Sequence, residues 1–125
     1  PGTGGTQRLV RIVGKSRAIE MMTTGRLFDI DEAVRYGIVD QVFDAPDTTT
    51  FQKQIQDYAK QFCQPNKASK AVGLIKRCVQ SGGEVPFEYG LAMEREFQAQ
   101  LFSSEDAKEG LHAYVEKRKP NFKGQ

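Results

Sequence analysis

Residues 86–119 read PFEYGLAMEREFQAQLFSSEDAKEGLHAYVEKRK and contain two helical patterns in succession. Pro86 suits the first turn of a helix, where its missing N–H would have had no partner. In this helix large apolar residues recur at intervals of four, which places them on one face: Tyr89, Met93, Phe97 and Leu101. Ser104 is a typical cap for a last helix, whose apolar residues also share a face: Ala107, Leu111, Tyr114 and Val115.

The chain upstream of Pro86 is also helical in pattern. Apolar residues recur at helical spacing, and glycines follow the ends of the first three predicted helices. Asp29 with Glu32, and Thr49 with Gln52, have the spacing of a capping box. We predict helices over about 6–13, 15–24, 29–36, 49–63 and 67–80.

Only residues 38–43, IVDQVF, have the composition of a strand. The run is rich in β-branched and apolar residues and is bounded by Gly37 and by the Asp44-Ala45-Pro46 turn. A lone strand has to pair outside this chain or stay irregular. The predicted fold class is therefore mainly α, with amphipathic helices and at most one short strand over about 38–43.

The helices fall into two stretches, a helical segment over residues 1–47 and a helical region over residues 48–125, which we expect to form one folded unit. Burying each large apolar side chain stabilises a fold by roughly 1.5–3 kcal/mol. The amphipathic faces therefore need cover from each other, from a preceding part of the protein, or from another subunit. The chain opens on Pro1 and a glycine-rich stretch that resembles the middle of a loop, which predicts that a segment precedes it.

The composition is that of an ordinary globular protein, with 38% hydrophobic and 27% charged residues. Its 18 basic and 16 acidic side chains give a net charge of +2, short of the strongly basic character of a dedicated nucleic-acid domain. No apolar run approaches the roughly 18 residues that cross a bilayer. We predict neither a nucleic-acid partner nor a membrane partner.

Metal and redox chemistry are not predicted. Cys63 and Cys78 lie among apolar residues at helical spacing, which favours packing as small hydrophobes. His112 is the only histidine and no Cys-x-x-Cys pair is present, so the chain does not assemble an ordinary zinc site. A reducing compartment, and hence the cytoplasm, is favoured.

The glycine-rich start invites a phosphate-binding interpretation, but its spacing argues against one. A dinucleotide fingerprint needs a third glycine where Gln7 stands, and a P-loop ending at Ser16 needs glycine at Leu9. The carboxylates have basic neighbours, as on a solvated face, and no pair is compelled to converge on a substrate: Glu20, Glu84, Glu94, Glu96, Glu105 and Glu109. His112 lies off the apolar face of its helix, which favours a surface role.

Two ordered strings of residues nevertheless resemble a known family. Residues 1–9, PGTGGTQRL, followed by GKSRA at 14–18 and GIV at 37–39, are similar to the run after the catalytic segment of the enoyl-CoA hydratase/isomerase (crotonase) family. Residues 90–95, GLAMER, and 116–120, EKRKP, resemble its carboxy-terminal helices. The resemblance covers essentially the whole chain and is greatest to the short-chain enoyl-CoA hydratases, lyases that hydrate 2-enoyl-CoA thioesters in fatty-acid oxidation.

The resemblance implies that the catalytic groups lie elsewhere. In crotonases both catalytic glutamates and the amides of the oxyanion hole belong to the part that precedes the position of Pro1. No catalytic residue is therefore expected in this chain, and the chain alone is expected to be inactive. No cofactor is implied; acyl-CoA would be the substrate.

The same resemblance assigns binding and border positions. Pro1, Gly2 and Gly4 would border the active-site pocket, where glycine allows close approach of the backbone; a plain helix lead-in is an equal alternative. Tyr114 and Lys117 match the aromatic and the lysine that reach the CoA nucleotide from a neighbouring subunit. Structurally, Tyr114 could instead belong to the core and Lys117 could be a surface charge near the helix dipole. Gln98 departs from the aromatic that the family often has near the adenine, which argues against a stacking contact at this position.

Two functions follow as hypotheses. The first is the carboxy-terminal part of an enoyl-CoA hydratase, in which residues 48–125 form the trimerisation region and contact CoA; full-length members form trimers or hexamers. The alternative is a non-catalytic self-association module, or another crotonase activity such as that of an enoyl-CoA isomerase. The expected location is cytoplasmic, or the mitochondrial matrix in a eukaryote.

Overall fold

The computed structural model describes residues 2–125. These residues contain seven α-helices: α1 (Gly5–Val13), α2 (Lys15–Thr24), α3 (Ile30–Arg35), α4 (Thr48–Lys60), α5 (Ser69–Gly82), α6 (Phe87–Phe102) and α7 (Glu105–Val115). The prediction of a mainly α fold is confirmed. Two compact units are present, unit 1 over Pro1–Pro46 and unit 2 over Asp47–Gln125. That they form one folded unit stays a prediction.

Unit 1 is built on α1 and α2, which pack against each other. Gly14 joins them with a φ of 80°, a conformation that glycine adopts without a steric penalty. The Asp29 carboxylate caps α3 by accepting a hydrogen bond from the Glu32 N–H at 2.7 Å. The predicted ends of α1 at Gly14 and of α2 at Gly25 are therefore confirmed, and α3 ends at Arg35, one residue before its predicted end.

The segment over residues 38–43 is irregular, so the strand predicted there is absent. A strand is stabilised by hydrogen bonds to a neighbouring strand, and none of residues 2–125 is in a strand that could supply them. Instead the N–H groups of Ile38 and Val39 both donate to the Ala33 carbonyl oxygen, at 2.9 and 3.3 Å. These bonds turn the chain at the end of α3.

Unit 2 is organised around the pair of α5 and α6. A Cβ added to Gly90 would lie 3.5 Å from the carbonyl oxygen of Gly82, so the two helices approach through backbone where they meet. Leu74, on α5, is 8% exposed. The α5–α6 contact is therefore the main packing within this unit.

The residue that caps α4 differs from the predicted one, whereas the residue that caps α7 is the predicted one. Asp47 caps α4 by accepting from the Thr50 N–H at 2.8 Å, so the predicted capping box at Thr49 is wrong. A carboxylate two residues earlier is the stronger acceptor for the free N–H groups of the first turn. Ser104 caps α7 by accepting from the Ala107 N–H at 3.1 Å, as predicted.

The chain buries little apolar surface. Among the described residues few hydrophobic side chains are buried, and most of these are small: Ala18, Met21, Ala33, Leu74 and Ala113. Large apolar side chains remain in solvent, including Leu27 at 96% and Val115 at 78% exposure. Cys63, predicted to pack as a small hydrophobe, is exposed and Cys78 is half-buried. The amphipathic faces recognised in the sequence are thus largely uncovered.

Candidate functional site

The last helix ends in a Schellman turn. The Lys117 N–H donates to the Tyr114 carbonyl oxygen at 3.3 Å, and the Arg118 N–H donates to the Ala113 carbonyl oxygen at 3.0 Å. This pair of bonds defines the motif. Ala113 is 1% exposed and Tyr114 is 84% exposed, so one side of the helix end is anchored while the other faces solvent.

Lys117 occupies the position of this turn that glycine usually holds. Its φ is 53°, and in this left-handed region a side chain costs roughly 1–2 kcal/mol. Among the described non-glycine residues only Thr3 shares a positive φ. Strained residues concentrate at functional sites. The exposed Lys117 is therefore a candidate binding residue on structural grounds, one turn after the exposed Tyr114.

Arg118 ties this turn back to the body of α7. Its two terminal nitrogens donate to the two carboxylate oxygens of Glu109 at 2.6 and 2.8 Å, and its Nε donates to Glu116. The Glu109 carboxylate also accepts from the Asn121 N–H at 2.8 Å. Glu109, predicted to be one of the solvated carboxylates, instead holds the chain that follows the helix.

Glu109 also makes the structure sensitive to acid. The hydrogen bond from Arg118, and then that from the Asn121 N–H, lower the pKa of Glu109 to about 2. Because the folded-state pKa is depressed, the stabilisation is complete above the ordinary pKa near 4.5 and is lost as pH falls toward 2. We expect Glu109→Gln to flatten the fall in thermal stability between pH 4.5 and 2, measured by circular dichroism. An unchanged slope in the Glu109→Gln variant would contradict the assignment.

Asp106 holds the end of the chain in the same way. Its carboxylate accepts from the N–H groups of Lys123 and Gly124 at 2.7 and 2.8 Å, and its own N–H donates to the Gln125 carbonyl oxygen at 3.0 Å. Asp106 is 5% exposed. The segment after α7 is therefore folded back onto the start of that helix, a feature that the local pattern did not predict.

A cavity of about 480 Å³ lies beside this fold-back and is lined mainly by charged residues: Glu105, Asp106, Lys108, Glu109, His112, Arg118, Asn121 and Lys123. Its two inner carboxylates, Asp106 and Glu109, are already bound by backbone N–H groups and by Arg118. His112 is exposed, in keeping with its predicted surface role. Asp106 and Glu109 therefore hold the chain end in place.

The glycine-rich start forms the lead-in to α1. Gly4 is the residue before this helix, with a φ of 85°, and the Gly2 carbonyl oxygen accepts from the Gly5 N–H at 2.9 Å. The Arg8 guanidinium donates to the Thr3 carbonyl oxygen at 2.9 Å. Pro1, the third predicted border residue, lies outside the described residues. The structure thus shows a helix lead-in, and the pocket border stays a prediction.

Gln98 is exposed on α6. It lines a groove of about 230 Å³ between α5 and α6 with mostly apolar neighbours: Leu74, Ile75, Cys78, Val79, Glu94, Phe97 and Leu101. The amide of Gln98 provides no aromatic face. Gln98 therefore does not offer the aromatic ring on which an adenine could stack.

Within residues 2–125, no group of three or more histidine, cysteine, aspartate or glutamate side chains is arranged to hold a metal ion. Likewise, no helix in this part of the chain is long and apolar enough to cross a membrane.

Known structures share this fold. An enoyl-CoA hydratase from Geobacillus kaustophilus HTA426 matches with a TM-score of 0.88 at 44% identity, covering 98% of this chain and 45% of that chain. The enoyl-CoA hydratase from Bacillus anthracis gives 0.81 at 38% identity, covering 100% and 46%. Among curated proteins, the 2,3-dehydroadipyl-CoA hydratase of Escherichia coli (strain K12) is 38% identical over 124 residues, covering 99% of this chain and 47% of that protein.

These matches define a chain that has the fold of a little under half of an enoyl-CoA hydratase. The profile of the enoyl-CoA hydratase/isomerase family matches residues 1–125, and the chain belongs to that family. It spans about half the length of the curated relatives it matches, 47% of the Escherichia coli protein and 41% of the mitochondrial enoyl-CoA hydratase of Pongo abelii. The cytoplasmic or mitochondrial location stays a prediction.

Proposed function

We propose that this chain is the oligomer-forming and CoA-contacting part of an enoyl-CoA hydratase. Tyr114 and Lys117 would contact the CoA nucleotide bound to a neighbouring subunit. The observation that carries the proposal is the end of α7, where an 84% exposed tyrosine lies one turn before a lysine in a left-handed conformation. An aromatic face suits a base, and an ammonium group suits a phosphate.

Exposure of both side chains supports a binding role for them. The alternative assigned Tyr114 to the core, and its exposure argues against that assignment. A lysine placed near the helix end only to offset the helix dipole does not need a left-handed backbone. Residues 116 and 118 on either side of Lys117 are already joined in an ion pair.

The uncovered apolar faces support self-association. Exposed large side chains on the two last helices include Phe87, Tyr89, Phe102, Leu111 and Val115. Apolar patches of this kind commonly mark protein–protein interfaces. We propose a trimer or a hexamer, as the resemblance implies, with residues 48–125 forming the contacts.

The hydration itself would be performed by groups supplied outside these residues. Hydration of a 2-enoyl-CoA needs carboxylates placed to transfer protons and amides placed to stabilise the enolate oxygen of the thioester. Asp106 and Glu109 are engaged with the chain end. Gly2 and Gly4, with Pro1, would contribute only the border of the acyl pocket.

The second candidate is a non-catalytic self-association module, which the same uncovered apolar faces favour. Such a module would have the same helices and the same oligomer as the first proposal, but it would not require a lysine that binds CoA. An enoyl-CoA isomerase is a further alternative, because the isomerases and hydratases share this family. Binding of free CoA separates the module from both enzymes.

A titration of the 125-residue chain with free CoA tests the proposal. We expect saturable binding by isothermal titration calorimetry, together with sedimentation of an oligomer. A parallel assay with crotonyl-CoA should show no hydration. Absence of CoA binding by the oligomer would favour the self-association module, and turnover would show that catalytic groups lie within these residues.

A further inference from the structure

We propose that the ion pair between Arg118 and Glu109 is a positioning device for Lys117. It would hold the lysine in the left-handed conformation from which its ammonium group meets a phosphate of the CoA nucleotide. The inference rests on the proposed function, because it takes Lys117 to be a CoA-binding residue. Arg118 and Glu109 are positioning residues in this scheme and do not touch the ligand.

The first step concerns the backbone. A side chain at the glycine position of a Schellman turn disfavours the turn, because its Cβ approaches the following carbonyl oxygen. Lys117 nevertheless has a φ of 53°. The hydrogen bonds of the turn and contacts made by residues adjacent to Lys117 together offset this cost.

The second step identifies those contacts. Arg118 donates two parallel hydrogen bonds to Glu109, at 2.6 and 2.8 Å, and bidentate pairs of this type fix the orientation of the guanidinium plane. The Glu109 side chain is only 25% exposed and also accepts from the Asn121 N–H. Arg118 and Asn121, which follow Lys117 in the chain, are thus attached to the body of α7.

The third step concerns charge. Glu109 and Glu116 would both repel a phosphate that approaches Lys117. Arg118 pairs with both carboxylates, and neither of these ion pairs involves Lys117. Arg118 therefore offsets one of these two negative charges, and the ammonium group of Lys117 lies outside both ion pairs.

Arg118→Lys tests the positioning role, because it keeps the net charge but removes the bidentate hydrogen bonding to Glu109. We expect it to weaken CoA binding by about three- to tenfold, measured by titration calorimetry. Glu109→Asp, which also keeps the charge but withdraws the carboxylate by one methylene group, should weaken binding in the same direction. Circular dichroism and sedimentation would show that both variants keep their helices and oligomeric state.

A double-mutant cycle with Lys117→Ala separates positioning from a direct or purely structural role. If Arg118 acts through Lys117, Arg118→Lys should cause no further loss of CoA affinity in the Lys117→Ala background. An equal loss in both backgrounds would overturn the inference. If Lys117→Ala weakens binding while Arg118→Lys and Glu109→Asp do not, only this inference fails; if Lys117→Ala has no effect, the proposed function fails with it.

Discussion

Replacing Lys117 with alanine is expected to weaken CoA binding by about tenfold or more. A hydrogen bond to a charged group contributes about 1.5–3 kcal/mol, and each 1.4 kcal/mol is about a factor of ten in affinity. Lys117→Gly should lose the same affinity but raise the melting temperature, because glycine adopts the φ of 53° without a steric penalty. Titration calorimetry and thermal unfolding measure the two effects separately.

Lys119→Ala is the matched control, since it removes the same charge from the same exposed segment. Its CoA affinity should remain close to that of the unmodified chain. Equal losses in the Lys117→Ala and Lys119→Ala variants would indicate general attraction by the basic chain end and would contradict a specific contact. A lower melting temperature for Lys117→Gly would contradict the assignment of strain to this turn.

Replacing Asp106 with alanine is expected to give the largest loss of stability among single carboxylate substitutions. The change leaves the N–H groups of Lys123 and Gly124 without their acceptor, and the loss of such a partner in a buried site costs about 1–3 kcal/mol. The chain end should detach from α7. Faster hydrogen exchange at residues 123 and 124, together with a lower melting temperature, would report this detachment.

Glu105→Ala provides the comparison for that experiment. Glu105 precedes Asp106 in the same helical turn and carries the same charge, but its side chain is 68% exposed and pairs with Lys108. We expect a much smaller change in melting temperature. Similar falls in melting temperature in the two variants would mean that the negative charge at the start of α7, and not the hydrogen bonds to the chain end, stabilises the fold.

The helices could be predicted from the sequence because their caps and ends are local signals, and the family could be predicted from two ordered strings of residues. Gly14 ends α1, Asp29 caps α3, and Ser104 caps α7, each through contacts with residues a few positions away. The candidate CoA-contact residues Tyr114 and Lys117 came from the resemblance of residues 116–120 and their neighbours to the family. Composition and spacing alone would have left both as features of an ordinary amphipathic helix.

Two predictions were wrong, the capping box at Thr49 and the strand over residues 38–43. In each case the local sequence favours a structure that the folded chain does not adopt. Thr49 and Asp47 both offer an oxygen to the start of α4, and only the folded chain shows that the Asp47 carboxylate is used. The β-branched run at 38–43 has the composition of a strand, yet a strand also requires a partner. The residue pattern of a segment indicates which structure it favours, but it does not show whether another strand is present to pair with it.

From the sequence alone we could determine that the chain is a set of amphipathic helices from the enoyl-CoA hydratase/isomerase family. Only the tertiary structure showed that Asp106 and Glu109 hold the chain end and that Lys117 is strained at the turn. For the chain end the physical reason is separation along the chain: Asp106 binds residues 17 and 18 positions away, and Glu109 binds residues 9 and 12 positions away. Contacts of that span have no period in the sequence, so they become visible only when the chain is folded.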